Sequence, residues 1–335
     1  MTVDAGMGAL FAASFQDAMP TFASRQVALG LGLRDRPIHP HLLLNLGLSF
    51  SVHDVSEQAI ANLAYIDVRF PAPCYEGDTV SAVSQVLGIK PVSSGTKGVV
   101  HVRTELVTHE GTVVCSFERK ALVRAGKNTM RPADPPAPPP RAAAAPSRPL
   151  PFLDGAIGAA PAGGFAFAWD DLAVGDVFAH EVGRTISEAE HMQMATLARN
   201  SHPLHFDERY CKHGSFAKTR VVYGGLVLAW VLSLASRDTA GNAVWELGLD
   251  DGAHPSGVLA GDTLFAASQV LAKQARGPDA GTVTLRVVGL KNAPARPLLE
   301  AGADLFTAEL GKTERKVAEK VVEITRTLLV RRRPR

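Results

Sequence analysis

Apolar and polar residues alternate along several stretches of the chain, which are separated by Gly- and Asp-containing segments. Six stretches show this two-residue period, three in each half: residues 79–89, 98–111, 112–124, 263–273, 282–292 and 320–331. Such a period, bounded by Gly and Asp, predicts antiparallel strands with one covered face. The chain is therefore expected to be rich in antiparallel sheet.

Two other segments are continuously apolar. Residues 41–51, "HLLLNLGLSFS", and residues 225–235, "GLVLAWVLSLA", carry no Asp, Glu, Lys or Arg. A helix without a charged face has to be surrounded by protein. The longer apolar run, residues 224–236, is too short for a bilayer, which needs about 20 residues. Each segment therefore predicts a buried helix of about three turns, and no membrane association is expected.

The helix and the strands recur in the same order in both halves. "GDTVSAVSQVLGIK" begins at Gly77 and "GDTLFAASQVLAKQ" at Gly261, each 35 residues after the matching apolar position, Leu42 or Leu226 (77 − 42 and 261 − 226). Both halves also close on a strand-like segment that ends in Val-Arg. These matches predict an internal duplication. One buried helix wrapped by an antiparallel sheet is the hotdog arrangement, so the predicted fold class is α+β, a tandem (double) hotdog.

The boundary between the two units is rich in proline and alanine. Residues 131–151 are predicted to form an extended connector. We therefore expect an N-terminal hotdog unit in residues 1–130 and a C-terminal unit in residues 152–335. We also expect a further strand before Gly6, and a loop excursion at residues 292–316.

Composition excludes several classes of protein. A formal net charge of +2 gives no reason to expect a nucleic-acid partner. The three cysteines, Cys74, Cys115 and Cys211, form no CxxC pair, which argues against a disulfide scaffold and a cysteine zinc site. The N-terminus does not read as a signal peptide. A cytoplasmic location is therefore predicted.

The strongest candidate for chemistry is "RNSHPLHFDER", residues 199–209. It places Asn200, His202 and His205 within six residues, with Asp207 close behind. Three interpretations are open: an active site, a metal site, or a polar loop between helix and strand. A zinc site normally takes three or four converging ligands, and no second His/Cys cluster offers the remainder. No metal is therefore expected here.

The surroundings of this motif favour an active site. A helical pattern that Thr185 or Ser187 is predicted to cap ends at the motif. About 20 residues later, Tyr223, Gly224 and Gly225 begin the buried helix, whose first N–H groups are unpaired and carry partial positive charge. A base facing such N–H groups is the arrangement required for adding water across a bond conjugated to a carbonyl. These three residues are our candidates for substrate binding.

The motifs "N-S-H-P-L-H" and "V-V-Y-G-G-L" resemble the MaoC-like hydratases, the (R)-specific enoyl-CoA hydratase group, whose signature is D-x-N-P-x-H. Within that family, residues 61–79, 188–193 and 223–225 are similar to the mesaconyl-CoA hydratase (β-methylmalyl-CoA dehydratase) subfamily. The resemblance covers nearly the whole chain. It implies a double hotdog that acts on an acyl-CoA, with coenzyme A as part of the substrate and no other cofactor.

Carried over position by position, the resemblance makes His205 the catalytic histidine and Pro203 the motif proline. Asn200 takes the place of the aspartate, and His202 takes that of the asparagine, where we expect it to contact substrate. Gly224 falls near the glycine whose N–H polarises the thioester carbonyl. An amide cannot accept the proton of water, although it can orient the water. General acid and base duty is therefore predicted to rest on His205 alone.

The first half contains a degenerate copy of the motif. Residues 17–22, "DAMPTF", align with the catalytic motif, so that Phe22 replaces the histidine and His41 replaces the second glycine. Phenylalanine cannot transfer protons, so we expect one catalytic site per chain. The "HPH" segment at residues 39–41 is predicted to cap the first apolar helix or to lie satisfied at the surface, and not to bind a ligand.

The predicted function is reversible hydration of a short, branched dicarboxylic enoyl-CoA thioester. Arg220 and Arg199 are the candidates for binding the second carboxylate, because the arginine fork matches both oxygens. Three alternatives remain open: an enoyl-CoA hydratase for other acyl chains, a non-catalytic acyl-CoA-binding protein, or a thioesterase. A homo-oligomer formed through the hotdog sheets is also open.

Overall fold

The computed structural model describes residues 1–93, 95–126, 148–157, 167–309 and 316–333. Of the predicted connector, only residues 148–151 lie within these ranges. The described end of the connector is fixed to the first half, because Arg148 donates through Nη2 to Asp78 Oδ1 at 2.9 Å and to Glu110 Oε2 at 2.7 Å.

The described chain forms one antiparallel sheet of nine strands, in the order β2-β3-β4-β1-β6-β9-β8-β7-β5. The strands are β1 (Ala59–Arg69), β2 (Val80–Pro91), β3 (Lys97–Thr108), β4 (Val113–Arg124), β5 (Val177–Thr185), β6 (Ala243–Ala253), β7 (Thr263–Arg276), β8 (Ala280–Lys291) and β9 (Lys320–Arg331). The first half supplies β1 to β4, and the second half supplies β5 to β9. The pairing of β1 with β6, for example Val68 opposite Leu249, joins the two halves into a continuous sheet.

The described chain contains eight α-helices, of which α4 and α7 are the buried central helices of the two units. They are α1 (Ala5–Phe15), α2 (Pro20–Ala23), α3 (Arg25–Gly30), α4 (Pro40–Phe50), α5 (Glu188–Leu197), α6 (Glu208–Gly214), α7 (Gly224–Thr239) and α8 (Ala295–Glu300). Buried α4 packs on β2, β3 and β4, while buried α7 packs on β5, β7, β8 and β9. This arrangement confirms the tandem hotdog. No helix in the described ranges is both long and apolar enough to cross a membrane.

The middle of α4 contacts the beginning of α7. Asn45 of α4 donates from Nδ2 to the carbonyl of Gly225 in α7 at 3.1 Å. The helix α1 also crosses to the second half, where Phe15 stacks on Trp230 of α7 with ring centroids 5.0 Å apart. The halves therefore share one apolar core, and their contact brings α4 to the beginning of α7.

The strand expected before Gly6 is a single bridge in the structure. Thr2 pairs with Thr79, and their hydroxyls lie 2.8 Å apart. The same hydroxyl contact, at 2.7 Å, joins Thr185 to Thr263 where β5 ends. The bridge is therefore the first half's counterpart of the end of β5.

The excursion predicted at residues 292–316 is partly regular structure. Its described part contains α8, which packs on β5 and β7. Beyond α8, the carboxylate of Glu309 forms a salt bridge with the buried Lys320 ammonium at 3.2 Å. The carboxylate of Glu323 pairs with the same ammonium at 3.1 Å. The excursion thus packs on Ala267, Val288 and Leu290 of β7 and β8, in an apolar cluster that is separate from the main core.

Candidate active site

A cavity of about 220 Å³ opens where the two halves meet. The second half contributes the predicted motif and the beginning of α7, and the first half contributes residues of α4, β1 and β4. The polar lining residues include Tyr65, Arg119, Asn200, His202, His205 and His254. The cavity therefore brings six of the predicted site residues together: Asn200, His202, His205, Tyr223, Gly224 and Gly225.

His205 has one ring nitrogen available for proton transfer. Its Nδ1 lies 2.8 Å from the carbonyl oxygen of Val221, which can only accept, so the proton of the neutral ring is on Nδ1. Nε2 then carries a free lone pair. Burial of the ring lowers the pKa of His205 to about 3, so the imidazole is neutral at physiological pH. A neutral histidine with a free Nε2 can act as a general base.

Asn200 lies where α5 gives way to the motif. Ser187 caps this helix by accepting from Glu190 N–H at 3.1 Å, which confirms one of the two predicted caps. Arg199 then adopts a left-handed conformation, φ +61°, and turns the chain. The Oδ1 of Asn200 accepts from the N–H of His202 at 2.9 Å. Its Nδ2 is therefore the group left to donate to a water oxygen.

His202 shapes the turn that carries His205. It caps the 3₁₀ turn Pro203–His205, and its Nδ1 accepts from the N–H of Leu204 at 3.1 Å. The proton of the neutral ring is therefore on Nε2, and burial lowers the pKa of His202. The ring lines the cavity, 5.8 Å from that of His205 between centroids.

The beginning of α7 offers two unpaired donors. The N–H groups of Leu226 and Val227 return to the carbonyl of Tyr223 at 3.0 and 3.1 Å, whereas those of Gly224 and Gly225 find no acceptor in the described structure. Together with the helix dipole, these N–H groups give the cavity wall the donors with which a helix N-terminus can bind an anion.

Close neighbours require glycine at residue 225 and leave little room for a side chain at residue 224. A Cβ on Gly225 would lie 2.3 Å from Asn45 Oδ1, and one on Gly224 would lie 3.1 Å from His254 Nε2. Only glycine lets the backbone approach the cavity so closely at residue 225.

Tyr223 is held by both halves of the chain. Its N–H donates to Nε2 of His191 at 3.1 Å, and its hydroxyl donates to the carbonyl of Asn45 and accepts from Ser49, both at 3.4 Å. Burial raises the pKa of Tyr223 to about 12, so the phenol is neutral. The tyrosine therefore fixes the beginning of α7 against α4.

Several residues near the site were not predicted from the sequence, among them Tyr65, Arg119, His191 and His254. His254 donates from Nδ1 to Val321 O and accepts from the Tyr65 hydroxyl, both at 3.2 Å. Burial lowers the pKa of His254 and that of His191 to about 4, so both rings are neutral. Arg119 had a sequence signal: it lies two residues from Phe117 and from Ala121, on the same buried face of β4.

The structure does not bring the two predicted carboxylate ligands to the cavity. Arg220 forms ion pairs with Glu188 and with Glu208, the latter at 3.6 Å, so its charge is already compensated. Arg199 occupies the exposed left-handed position after α5. Neither arginine lines the cavity.

The metal interpretation of the motif finds little support in its hydrogen bonds. Asp207 caps α6 by accepting from the N–H groups of Arg209 and Tyr210 at 2.8 and 3.0 Å. A metal-binding histidine donates its other ring N–H to an acceptor. His202 instead accepts at Nδ1, so metal binding at Nε2 would leave an imidazolate.

A second cluster, Asp17, His39 and His41, has ligand atoms within 4.8 Å of one another. Metal binding by His39 in this cluster would again require an imidazolate. His39 caps α4, as predicted, by accepting from the N–H of His41 at 3.2 Å, which places its proton on Nε2. The Nε2 proton points toward Asp17 Oδ1, 3.7 Å away. This cluster is better described as a buried ion-pair network than as a metal site.

Comparison with known proteins agrees with this geometry. The family model described as mesaconyl-CoA hydratase matches residues 8–300. The chain is 34% identical to β-methylmalyl-CoA dehydratase of Chloroflexus aurantiacus (88% of this chain, 84% of the relative) and 34% identical to mesaconyl-CoA hydratase of Cereibacter sphaeroides (87% and 84%).

Among solved structures, a MaoC domain protein dehydratase from Chloroflexus aurantiacus has a TM-score of 0.82 at 31% identity, covering 100% of this chain and 93% of that one. A double-hotdog protein from Mycobacterium tuberculosis has a TM-score of 0.73 at 21% identity, covering 98% and 93%, and shows the shared fold. From the family match and the two relatives, the chain belongs to the mesaconyl-CoA hydratase family of MaoC-like double-hotdog proteins.

Proposed function

We propose that the protein reversibly hydrates a mesaconyl-CoA-type enoyl thioester, with His205 as the acid–base and Asn200 as the residue that orients water. The observation that carries this proposal is the pairing of His205 Nδ1 with the Val221 carbonyl, which leaves Nε2 free inside a cavity that also holds unpaired helix N–H groups. The acyl-CoA is the substrate, and the proposed chemistry needs no further cofactor.

In the hydration direction, the amide Nδ2 of Asn200 donates to the oxygen of a water. That water donates to Nε2 of His205. As Nε2 takes the proton, the oxygen bonds to C3 and the C2=C3 electron pair moves toward the thioester carbonyl. The imidazolium then returns its proton to C2, so that one water has been added and His205 is again neutral.

The thioester oxygen becomes negative during this step. The N–H groups of Gly224 and Gly225, at the positive end of α7, stabilise that charge. Losing one such donor costs about 10²–10³ in rate in well-studied enzymes. Because both donors are fixed before substrate arrives, this stabilisation needs no rearrangement.

The first half takes no direct part in proton transfer in this proposal. Phe22 occupies the position that corresponds to His205, and its ring is buried against Trp245 and His39. The proposal therefore assigns one catalytic site to each chain.

The test is a steady-state assay of the purified protein with mesaconyl-CoA and crotonyl-CoA, reading both enoyl absorbance and free thiol. We expect loss of absorbance without release of thiol. Thiol release would identify a thioesterase. Binding of these thioesters without either change would identify a non-catalytic acyl-CoA-binding protein, and both outcomes would overturn the proposal.

A further inference from the structure

Arg119 is an arginine inside the substrate cavity that comes from the non-catalytic half. It lies on β4, opposite Tyr65 of β1, and its side chain lines the cavity although the residue is only 5% exposed. A group so enclosed can be reached only by a molecule inside the cavity. Its ligand is therefore to be sought in the acyl part of the substrate.

All the hydrogen bonds of Arg119 go to neutral oxygens. Its Nη2 donates to Ser51 Oγ at 2.8 Å, to Ser56 Oγ at 3.3 Å and to the Ser51 carbonyl at 3.4 Å. Nε has no acceptor in the described structure, and no hydrogen bond of Nη1 is found there either. The guanidinium is thus positioned by two serines while part of its donor fork remains unused.

The other deeply buried cations of the described chain are compensated by carboxylates. Arg326 contacts Glu246 at 2.7 Å, Arg286 contacts Glu323 at 3.3 Å, and Lys320 contacts Glu323 at 3.1 Å. Arg119 has no carboxylate within ion-pair distance among the described residues. A buried charge without a counter-ion is costly, so an arginine of this kind suits an anion that arrives with the substrate.

The location of Arg119 matches where such an anion would lie. In mesaconyl-CoA-type substrates the free carboxylate is attached to the carbon that receives the hydroxyl, next to the water held by Asn200 and His205. Arg119, Asn200 and His205 line the same cavity of about 220 Å³. A carboxylate on the carbon that receives the hydroxyl would therefore lie in the space that Arg119 lines.

We propose that Arg119 binds the free carboxylate of a dicarboxylic enoyl-CoA and so selects this class of substrate. The proposal rests on the hydratase function proposed above and adds the residue that recognises the acyl group. It assigns recognition to the first half and proton transfer to the second. Burial lowers the pKa of Arg119, and a carboxylate bound to its guanidinium would stabilise the charged form.

The kinetic test compares Arg119→Met with the wild type on two substrates that differ only at the anion. These are mesaconyl-CoA and tiglyl-CoA, in which a methyl group replaces the carboxylate. We expect kcat/KM for mesaconyl-CoA to fall at least about 30-fold, the lower range for removing one partner of a buried charge pair. Turnover of tiglyl-CoA should stay equal or rise. An equal fall on both substrates, or no fall, would overturn the proposal.

A binding test separates this inference from the proposed reaction. Titration calorimetry with methylsuccinyl-CoA and 2-methylbutyryl-CoA, which have no double bond to hydrate, measures recognition without turnover. The wild type should prefer methylsuccinyl-CoA at least about 30-fold, and Arg119→Met should lose that preference. If the preference is seen in a protein that hydrates nothing, the function fails while the assignment of Arg119 stands. If hydration is seen without the preference, the assignment fails.

Two further variants control for charge and for folding. Arg119→Lys keeps the charge without the fork and should recover part of the preference for the dicarboxylic thioester. Lys120→Met removes the exposed cation next along β4 and should leave both substrates unchanged. Thermal melting of each variant confirms that the comparison is made between folded proteins. A loss of the same size in Lys120→Met would show a general charge effect and contradict the proposal.

Discussion

The proposed catalytic turn of the second half, residues 200–205, and its copy in the first half, residues 17–22, share a local backbone arrangement but differ in the side chains that they present. Asn200 Oδ1 accepts from the N–H two residues later at 2.9 Å, and Asp17 Oδ1 does the same with Met19 at 2.9 Å. In each turn a proline follows and begins a short helical segment, Pro203 in one and Pro20 in the other. The duplication has therefore kept the local fold of the turn in both copies.

The copies diverge at the last position of the turn. His205 lies at the cavity with a free Nε2, whereas Phe22 packs against Trp245 at 5.2 Å between ring centroids. The carboxylate of Asp17 is also occupied, because its Oδ2 lies 4.0 Å from the Arg326 guanidinium. What could have been a second site has become part of the core.

The N-termini of the two central helices also differ, because only α7 leaves N–H donors available. At α7 the N–H groups of Gly224 and Gly225 have no acceptor among the residues that the structure describes. At α4, Pro40 has no N–H to offer, and the N–H of His41 is taken by His39. A helix N-terminus can therefore bind an oxyanion only where the chain leaves its N–H donors without partners.

The largest loss should follow from giving the catalytic turn the residue of its copy. His205→Phe removes the only group in the turn positioned to hold the water's proton, so kcat should fall at least about 10²-fold, the lower range for a general base. His205→Gln, which is polar but cannot hold that proton, should fall similarly. Steady-state hydration measures both. Activity within tenfold of the wild type in either variant would remove His205 from its proposed role.

Gly224→Pro should make the N-terminus of α7 resemble that of α4, where Pro40 has no N–H to donate. Proline is accommodated at the first position of a helix, and the extended Tyr223 (φ −60°, ψ 122°) is compatible with a following proline. Because the N–H is lost, kcat should fall by about 10²–10³. Gly224→Ala is the matched control, since it makes the same Cβ contact with His254 but keeps the N–H. Equal losses in both variants would point to crowding instead of a missing donor.

The smallest effect on turnover is expected in the degenerate copy. Phe22→Leu leaves a gap beside Trp245, so the free energy of unfolding should fall by about 1 kcal/mol, a typical cost for a core substitution. The value of kcat should remain within about threefold of the wild type, because no proton passes through this turn. Chemical denaturation and the hydration assay measure the two effects. A large loss of kcat in a folded variant would show that the copies are functionally coupled.

The sequence predicts the two central helices, six strands and the catalytic motif because their patterns are local. Three strands were not predicted. Of these, β6 is buried on both faces and shows no alternation, and β1 contains register shifts that interrupt its period. Their pairing across the two halves depends on tertiary contacts that no local pattern carries. This is also why the contribution of the first half to the cavity was not identified residue by residue.

The positions of Arg220 and Arg119 relative to the cavity could not be predicted from the sequence for a similar reason. Arg220 is adjacent in sequence to the helix mouth, but its orientation is set by Glu188 and Glu208, which lie on other elements. Arg119 is far from the motif in sequence and reaches the cavity only because β4 pairs with β1 beside the joint between the halves. Its place on the buried face of a predicted strand was the one signal available.

The continuous sheet across β1 and β6 has an evolutionary consequence. In the functions proposed above, acid–base chemistry belongs to the turn at residues 200–205 and recognition of the acyl group belongs to the first half. The joint between β1 and β6 then divides these two constraints between separate stretches of chain. The lining from the first half can change to suit another acyl group while the turn at residues 200–205 stays as it is, so a family built on this fold can diversify its substrates without reinventing its reaction.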